Sequence, residues 1–261
     1  TVFPTNYERG RITLNNTSTV TYLSQRTTAP LQQVSSEPIY GNLTLTSGGG
    51  AALNTRMQIE AMPVINLNTT LTVTRNLTVN AKIRFEDMGL QIIGNIPNNL
   101  VVAGGSELLL GTATQVTLFP TNYVRAKINL NHLFASKSTV IYNAGIAGST
   151  ISAEPNYGNV TLTNPTATAV TKELLGTTEI FGNLSIQAQN NLDATISNHQ
   201  INLRGNWTCQ PTPSATFDSR SGRVVLNGTT VQQITTNAQK FFELEASSTG
   251  GSFRMIDNIT I

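Results

Sequence analysis

The sequence predicts an all-β solenoid of about a dozen coils, with almost no helix. Three features carry that expectation: an apolar alternation that outruns any single strand, a short repeat nested inside a long one, and a composition that avoids charge.

The alternation is clearest from Leu67 to Phe85, where the odd positions read Leu, Thr, Leu, Val, Arg, Leu, Val, Ala, Ile, Phe. A period of two marks strands with one buried face. The segment is longer than a typical strand, so it must bend while keeping its inside and outside. A chain wound around a core does that. The same pattern recurs at Ile180, Leu184 and Ile186, at Leu192, Ala194 and Ile196, and at Ile201, Leu203 and Trp207. No useful helical apolar stripe accompanies it, and abundant β-branched Thr, Val and Ile disfavour helix.

The long repeat is about 117 residues. T-V-F-P-T-N-Y at Thr1 to Tyr7 returns as T-L-F-P-T-N-Y at Thr117 to Tyr123, and E-P-I-Y-G-N-L-T-L-T at Glu37 to Thr46 returns as E-P-N-Y-G-N-V-T-L-T at Glu154 to Thr163. Gly111-Thr112 and Gly228-Thr229 share the same offset. These matches divide the chain into a first super-repeat (1–116), a second (117–233) and the start of a third (234–261), one continuous solenoid excerpted from a longer array. V-V-L-N-G-T-T-V-Q-Q-I, from Val224, already opens the next unit.

Inside it runs a shorter rhythm: Asn, an apolar residue, usually Ser or Thr, then another apolar residue. It is complete at Asn42, Asn76, Asn159, Asn183 and Asn258 and looser at Asn95 and Asn206. The steps from Asn76 to Asn95, from Asn159 to Asn183 and from Asn183 to Asn206 give a period of roughly 20 residues, the size of one solenoid coil. A string of β-sandwiches of about 100 residues would fit the long repeat but not this finer one. Gly-Asn at 41–42, 94–95, 158–159, 182–183 and 205–206 reads as a turn entering an inward-facing strand. Ser47 to Gly50 and Ala144 to Ser149 read as projecting loops, where specific binding is most often found.

Composition fits the stacking. Only 11% of residues are charged, whereas the chain contains 39 Thr and 28 Asn. Coils stacked about 4.8 Å apart place equivalent side chains in files. A repeated like charge would cost about 0.9 kcal/mol per contact in water by Coulomb's law. Thr and Asn stack without that cost: Thr suits outward strand positions, and Asn suits corners through its left-handed tolerance and its amide ladder. A dozen coils would extend roughly 55 to 60 Å.

These residues resemble the repeat arrays of Bacteroidota-type cell-surface proteins, including gliding-motility adhesins exported by type IX secretion. The resemblance lies in S-T-V-T-Y at Ser18 to Tyr22, Gln32-Gln33-Val34 and I-Y-G-N-L-T-L-T, with counterparts S-T-V-I-Y at Ser138 to Tyr142 and V-V-L-N-G-T-T-V-Q-Q-I leading to F-F-E-L-E at Phe241 to Glu245. G-N-W-T at Gly205 to Thr208 is similar too. It implies an extracellular, cell-surface stalk whose partners are the preceding and following repeats of the same chain, with other surface proteins or polysaccharide as further candidates. The sequence departs from the pattern at Glu243, which stands where the repeat has Asn, and lacks the C-terminal sorting domain.

Competing chemistries find little support. Polysaccharide-degrading β-helices cluster carboxylates. Here Glu86-Asp87 is the only adjacent pair and reads as a solvated turn. His132 and His199 lack ligand spacing, and a single cysteine, Cys209, permits neither an intrachain disulfide nor a cysteine zinc site. The expectation is a chain that is not an enzyme and takes no cofactor or metal. Tyr7, Tyr40, Tyr123, Tyr157 and Trp207 could stack on sugars, which keeps a carbohydrate-binding module as the alternative, but repeat-equivalent aromatics more often build a core or a corner. Ten N-x-S/T triplets follow from the Asn and Thr content alone. Scattered Lys and Arg, with a net charge of +2, give no nucleic-acid patch. No stretch approaches the apolar length of a membrane span. The positions expected to build the repeat are Asn42, Asn76, Asn95, Asn159, Asn183, Asn206, Asn258, Tyr40, Tyr157, Phe241 and Trp207.

Overall fold

The alternating stretch, followed from Thr70 to Phe85, wraps around three sides of a core. In the computed structural model, which describes residues 12, 14–24, 32–35, 38–47, 56–60, 70–85, 91–95, 98–210 and 215–261, this stretch forms three strands on three sheets. Leu71, Val73, Leu77, Val79, Ala81 and Ile83 all point inward with no exposed area. The corners consume residues in pairs, so the inward phase survives each bend. Expectation and structure agree on the fold: a β-solenoid in which every pairing among the described strands is parallel. That excludes the string of sandwiches, whose sheets are antiparallel.

Strands are numbered β1 to β27 in chain order among the described residues. Sheet A stacks β1 (Thr19–Ser24), β4 (Asn42–Ser47), β7 (Leu77–Asn80), β10 (Leu100–Val102) and β12 (Ile128–Asn129). Sheet B runs almost the whole length through ten strands: β2 (Gln32–Ser35), β5 (Arg56–Glu60), β8 (Lys82–Phe85), β11 (Glu107–Leu110), β13 (Thr139–Tyr142), β16 (Asn159–Leu162), β19 (Leu184–Ile186), β22 (Trp207–Cys209), β25 (Val231–Thr235) and β27 (Ser252–Met255). Sheet C holds β3 (Ile39–Tyr40), β6 (Thr70–Val73) and β9 (Gln91–Ile93). Sheet D holds β14 (Ser149–Ile151), β17 (Val170–Leu174), β20 (Asn190–Asp193) and β23 (Thr216–Asp218). Sheet E holds β15 (Asn156–Tyr157), β18 (Thr178–Ile180), β21 (Ile201–Leu203), β24 (Arg223–Leu226) and β26 (Glu243–Ala246). The described helical structure is a single 3-10 turn, Arg125–Lys127.

The coils are fewer and longer than the Asn spacing predicts, and their length varies. In sheet B, Val140 pairs with Val160 across a short coil, Leu184 with Trp207 across an intermediate one, and Leu108 with Val140 across a long one. Ten rungs at the usual strand separation span about 43 Å. The expected period is too short because one of the Asn motifs that set it, Asn95, is not a rung. One continuous core, from Tyr22 to Phe241, fills the interior.

Only sheet B is unbroken. Each early turn visits A, B and C, whereas each later turn visits E, B and D. Sheet A ends at β12 and sheet C at an isolated bridge between Ile93 and Thr121, while D and E begin at β14 and β15. The seam between them falls on T-L-F-P-T-N-Y. Pro120 has no N–H to extend a ladder, and Asn122 has φ 61°, so the chain turns away after one bridge.

The super-repeat is therefore not a whole number of turns. S-T-V-T-Y forms β1 in sheet A, yet its counterpart S-T-V-I-Y forms β13 in sheet B. The unit has moved on by one side. Gly111-Thr112 and Gly228-Thr229, aligned in the linear repeat, follow β11 in sheet B and β24 in sheet E and are not equivalent in space. R-V-V-L of β24 instead occupies the place of the two Tyr-ended strands.

Candidate functional surfaces

The corner asparagines form hydrogen-bonded ladders. Asn42 Oδ1 accepts from the backbone N–H and the side-chain amide of Asn76 (3.3 and 3.1 Å), and Asn76 Oδ1 accepts the same pair from Asn99 (2.9 and 3.1 Å). On the later coils, Asn159 Oδ1 accepts from Asn183 N–H (2.9 Å), Asn183 Oδ1 from Asn206 N–H (2.8 Å), and Asn206 Oδ1 from Gln233 N–H (2.8 Å). The first ladder enters sheet A and the second enters sheet B, following the one-side shift. None of these asparagines is left-handed. The amide ladder alone therefore accounts for them. Gly205 precedes Asn206 because a Cβ there would overlap the Gly182 carbonyl of the coil below.

One expected rung is corrected. Asn95 follows β9 and does not enter a strand; Asn99, immediately before β10, takes the place. Asn258 lies near the last bridge, where its backbone carbonyl accepts from Thr236 Oγ1 (3.2 Å). Ile196, expected inside, is 89% exposed on a loop after β20.

The repeat-equivalent tyrosines are buried clamps. Tyr22 and Tyr40 share a hydroxyl hydrogen bond of 2.8 Å; Ser35 N–H donates to Tyr22 Oη, and Tyr40 Oη donates to Ser35 C=O (2.6 Å). Tyr142 and Tyr157 repeat this at 2.7 Å around Ser152. Burial raises the pKa of all four phenols. In the third copy Leu226 and Phe241 stand in the two places, so both hydroxyls are lost together and neither is stranded. Phe241 packs edge-on to Trp207 (5.1 Å), which also meets Phe217 (4.9 Å), all within the core. Trp207, Tyr40 and Tyr157 have no exposed area and offer no sugar platform. Tyr7 and Glu86-Asp87 lie outside the described residues. Cys209 is a buried core thiol, pushed up to about 11 chiefly by burial.

Charges that fall in register are compensated. Lys82 faces Glu107 and pairs with it at 2.6 Å. Glu243 faces Arg223, whereas Asn42 and Asn159 face Thr19 and Thr139. The Asn-to-Glu departure thus comes with a cation opposite, and Arg223 also reaches Glu245 at 2.8 Å. A file of three carboxylates, Glu173, Asp193 and Asp218, lies on successive strands of sheet D. Arg220 grips Asp193 through Nε (3.0 Å) and Nη2 (2.9 Å) and reaches Asp218 at 3.1 Å. That bidentate hydrogen bond holds the Asp193 carboxyl below the usual carboxylate range. Among the described residues no cluster of three His, Cys, Asp or Glu could hold a metal. His132 stacks edge-on against Phe181 (4.5 Å), whose face Arg204 covers at 3.7 Å. Burial, then Arg204 and Lys137, lower the pKa of His132.

Lys172 is a core residue that the sequence reading misses. It lies on β17 with no exposed area, donating to Asn190 Oδ1 (2.5 Å) and Ala144 C=O (3.1 Å) inside the core. Asn190 donates in turn to the carbonyls of Leu162, Gln187 and Ala188. Burial lowers the ammonium to about 8. The signal is present in the sequence: in V-T-K-E-L, Lys172 shares the phase of Val170 and Leu174.

A groove of about 300 Å³ opens at the seam. Phe119, Pro120 and Tyr123 form one lip, Thr150, Ser152 and Glu154 the other, and Leu175 closes one end. Phe119 packs edge-on to Tyr157 (6.1 Å), and the ring of Tyr123 covers Gly94, where a Cβ would collide with it. Tyr123 Oη is buried without a hydrogen-bond partner. Arg125 is committed beside the groove to Ala153 C=O and to Asn156 Oδ1 (3.3 Å). No known family model matches this sequence, and comparison with curated proteins and with solved structures finds no significant match to either.

Proposed function

We propose that the chain is a stalk segment of an extracellular surface filament or adhesin, giving reach and mechanical continuity in adhesion or gliding. The observation that carries this reading is sheet B, ten parallel strands hydrogen-bonded from β2 to β27 over a single core. Each coil pairs with the coil on either side, so axial load passes through backbone hydrogen bonds from one coil to the next. The resemblance to repeat arrays of Bacteroidota-type surface adhesins, carried by type IX secretion, supports an extracellular setting and preceding and following repeats as the principal partners. The reading is not enzymatic: in the file of carboxylates on sheet D, Asp193 and Asp218 are held by Arg220. Electron microscopy of the native particle tests it. A thin continuous fibre is expected; a beaded chain or an isolated globule would overturn the stalk.

A further inference from the structure

The seam groove has the make-up of a ligand site. Its volume of about 300 Å³ sits at the lower end of the range for small-molecule sites. Phe119 and Pro120 make one lip apolar, Leu175 gives an apolar end, and the other lip carries hydroxyls and a carboxylate. In a parallel strand, alternate residues turn both backbone groups to one side. Ile151 C=O accepts from Leu175 N–H, so Ser149 and Ile151 face β17, and Thr150 turns its N–H and C=O towards the seam, where sheet D begins and no described strand pairs with it. Tyr123 adds a hydroxyl that has no partner, on a residue 4% exposed. Glu154 forms no ion pair among the described residues and is exposed at the mouth.

One segment of the groove is among the most closely copied in the chain, although Thr150 and Leu175 correspond to Gln33 and Gln58 in the first copy. T-L-F-P-T-N-Y differs from its first copy at one residue, Leu118 for Val2, and Ser152 and Glu154 recur as Ser35 and Glu37. Core packing accounts for Phe119 and Tyr123. It does not account for an exposed, unpaired glutamate copied along with them.

We propose that this groove binds a neutral pyranose unit of a polysaccharide. A pyranose ring has an apolar C–H face for the Phe119–Pro120 lip and the Leu175 end, and vicinal hydroxyls for the Glu154 carboxylate and the free backbone groups of Thr150. Glu154 without a cation disfavours an anionic ligand. A groove this open binds one ring in the millimolar range. The proposal goes beyond the stalk reading and does not depend on it: a stalk with no sugar affinity remains a stalk.

The test is an NMR titration of the isotope-labelled chain with glucose, galactose, N-acetylglucosamine and cellotriose, with glucuronate as the anionic control. A saturable millimolar shift of the Thr150 and Glu154 amides by at least one neutral sugar is expected, with glucuronate weaker. Glu154→Gln should weaken that binding about tenfold, as for loss of a charged hydrogen-bond acceptor. Leu175→Arg, at a side chain 59% exposed, should abolish it without changing the melting temperature. Absence of saturable binding by every neutral sugar overturns the proposal, as does glucuronate binding as tightly as the best neutral sugar. Binding unchanged in Leu175→Arg places the sugar elsewhere and overturns it equally.

Discussion

Replacing Lys172 with Met should change how stability depends on pH, by an amount that follows from its burial. In the folded chain the ammonium titrates near 8 and in the unfolded chain near 10.5. Between those values the unfolded state binds more protons, so stability rises with pH. At pH 7 the group is protonated in both states, and the full penalty of about 3 kcal/mol applies. At pH 10 about 2.5 kcal/mol of it has been relieved. Met removes this dependence while leaving Asn190 Oδ1 and Ala144 C=O without a donor, a loss of about 1 to 3 kcal/mol for each group that does not change with pH. The buried tyrosines titrate alike in both proteins, so they cancel. Urea unfolding of wild type and Lys172→Met at pH 7, 8, 9 and 10 is the assay. The wild type should gain about 2.5 kcal/mol on the variant across that range. A difference flat to within about 0.5 kcal/mol would mean that Lys172 is not held in the core as described.

Tyr157→Phe strands Ser152 C=O and the Tyr142 hydroxyl and should cost about 1 to 3 kcal/mol, with Tyr142→Phe added on top costing much less than it does alone; a double-mutant cycle by chemical denaturation reads that coupling. Asn159→Ala removes the acceptor for Asn183 N–H and should cost about 1 kcal/mol, whereas Asn95→Ala, off the ladder, should cost under about 0.5 kcal/mol; equal costs would refute the ladder assignment. Arg220→Gln should destabilise the chain at pH 7 and lose that effect in acid. The lowered Asp193 pKa contributes stability that is present above the ordinary 3.8 and disappears as pH falls through the folded value. Melting curves at neutral pH and near pH 2 should therefore differ between the two proteins only at neutral pH.

Alternation and self-similarity make the fold legible because a solenoid writes its geometry into sequence twice, as an inside-outside phase and as a repeat. The stretch from Leu71 to Ile83 keeps its phase through two corners, so its inward face can be read directly. The coil length cannot, because Asn95 carries the motif without entering a strand while Asn99 enters one without the motif. The one-side shift between S-T-V-T-Y and S-T-V-I-Y is invisible because a linear offset does not record which side a strand occupies. Lys172 escapes notice because a lysine at an inward position looks like an interruption until its partners, Asn190 from the next coil and Ala144 from the one before, are brought beside it. The groove needs three segments, 118–124, 150–154 and Leu175, that only the winding assembles.

The seam also sets where the fibre should yield under tension. Elsewhere several sheets link one coil to the next, so force is shared between ladders on different sides. Between β13 and β16 sheet A has ended at β12 and sheet C at the Ile93–Thr121 bridge, and sheets D and E are only beginning with β14 and β15. Among the described strands, sheet B alone carries the backbone hydrogen bonds across. A pulled array should open there first, one super-repeat at a time, turning a stiff rod into a chain of short rods that lengthens in steps and spares the attachment at its end. Force-extension traces with a sawtooth spaced by one super-repeat would display that fuse; uniform coil-by-coil unwinding would show that the seam is no weaker than its neighbours.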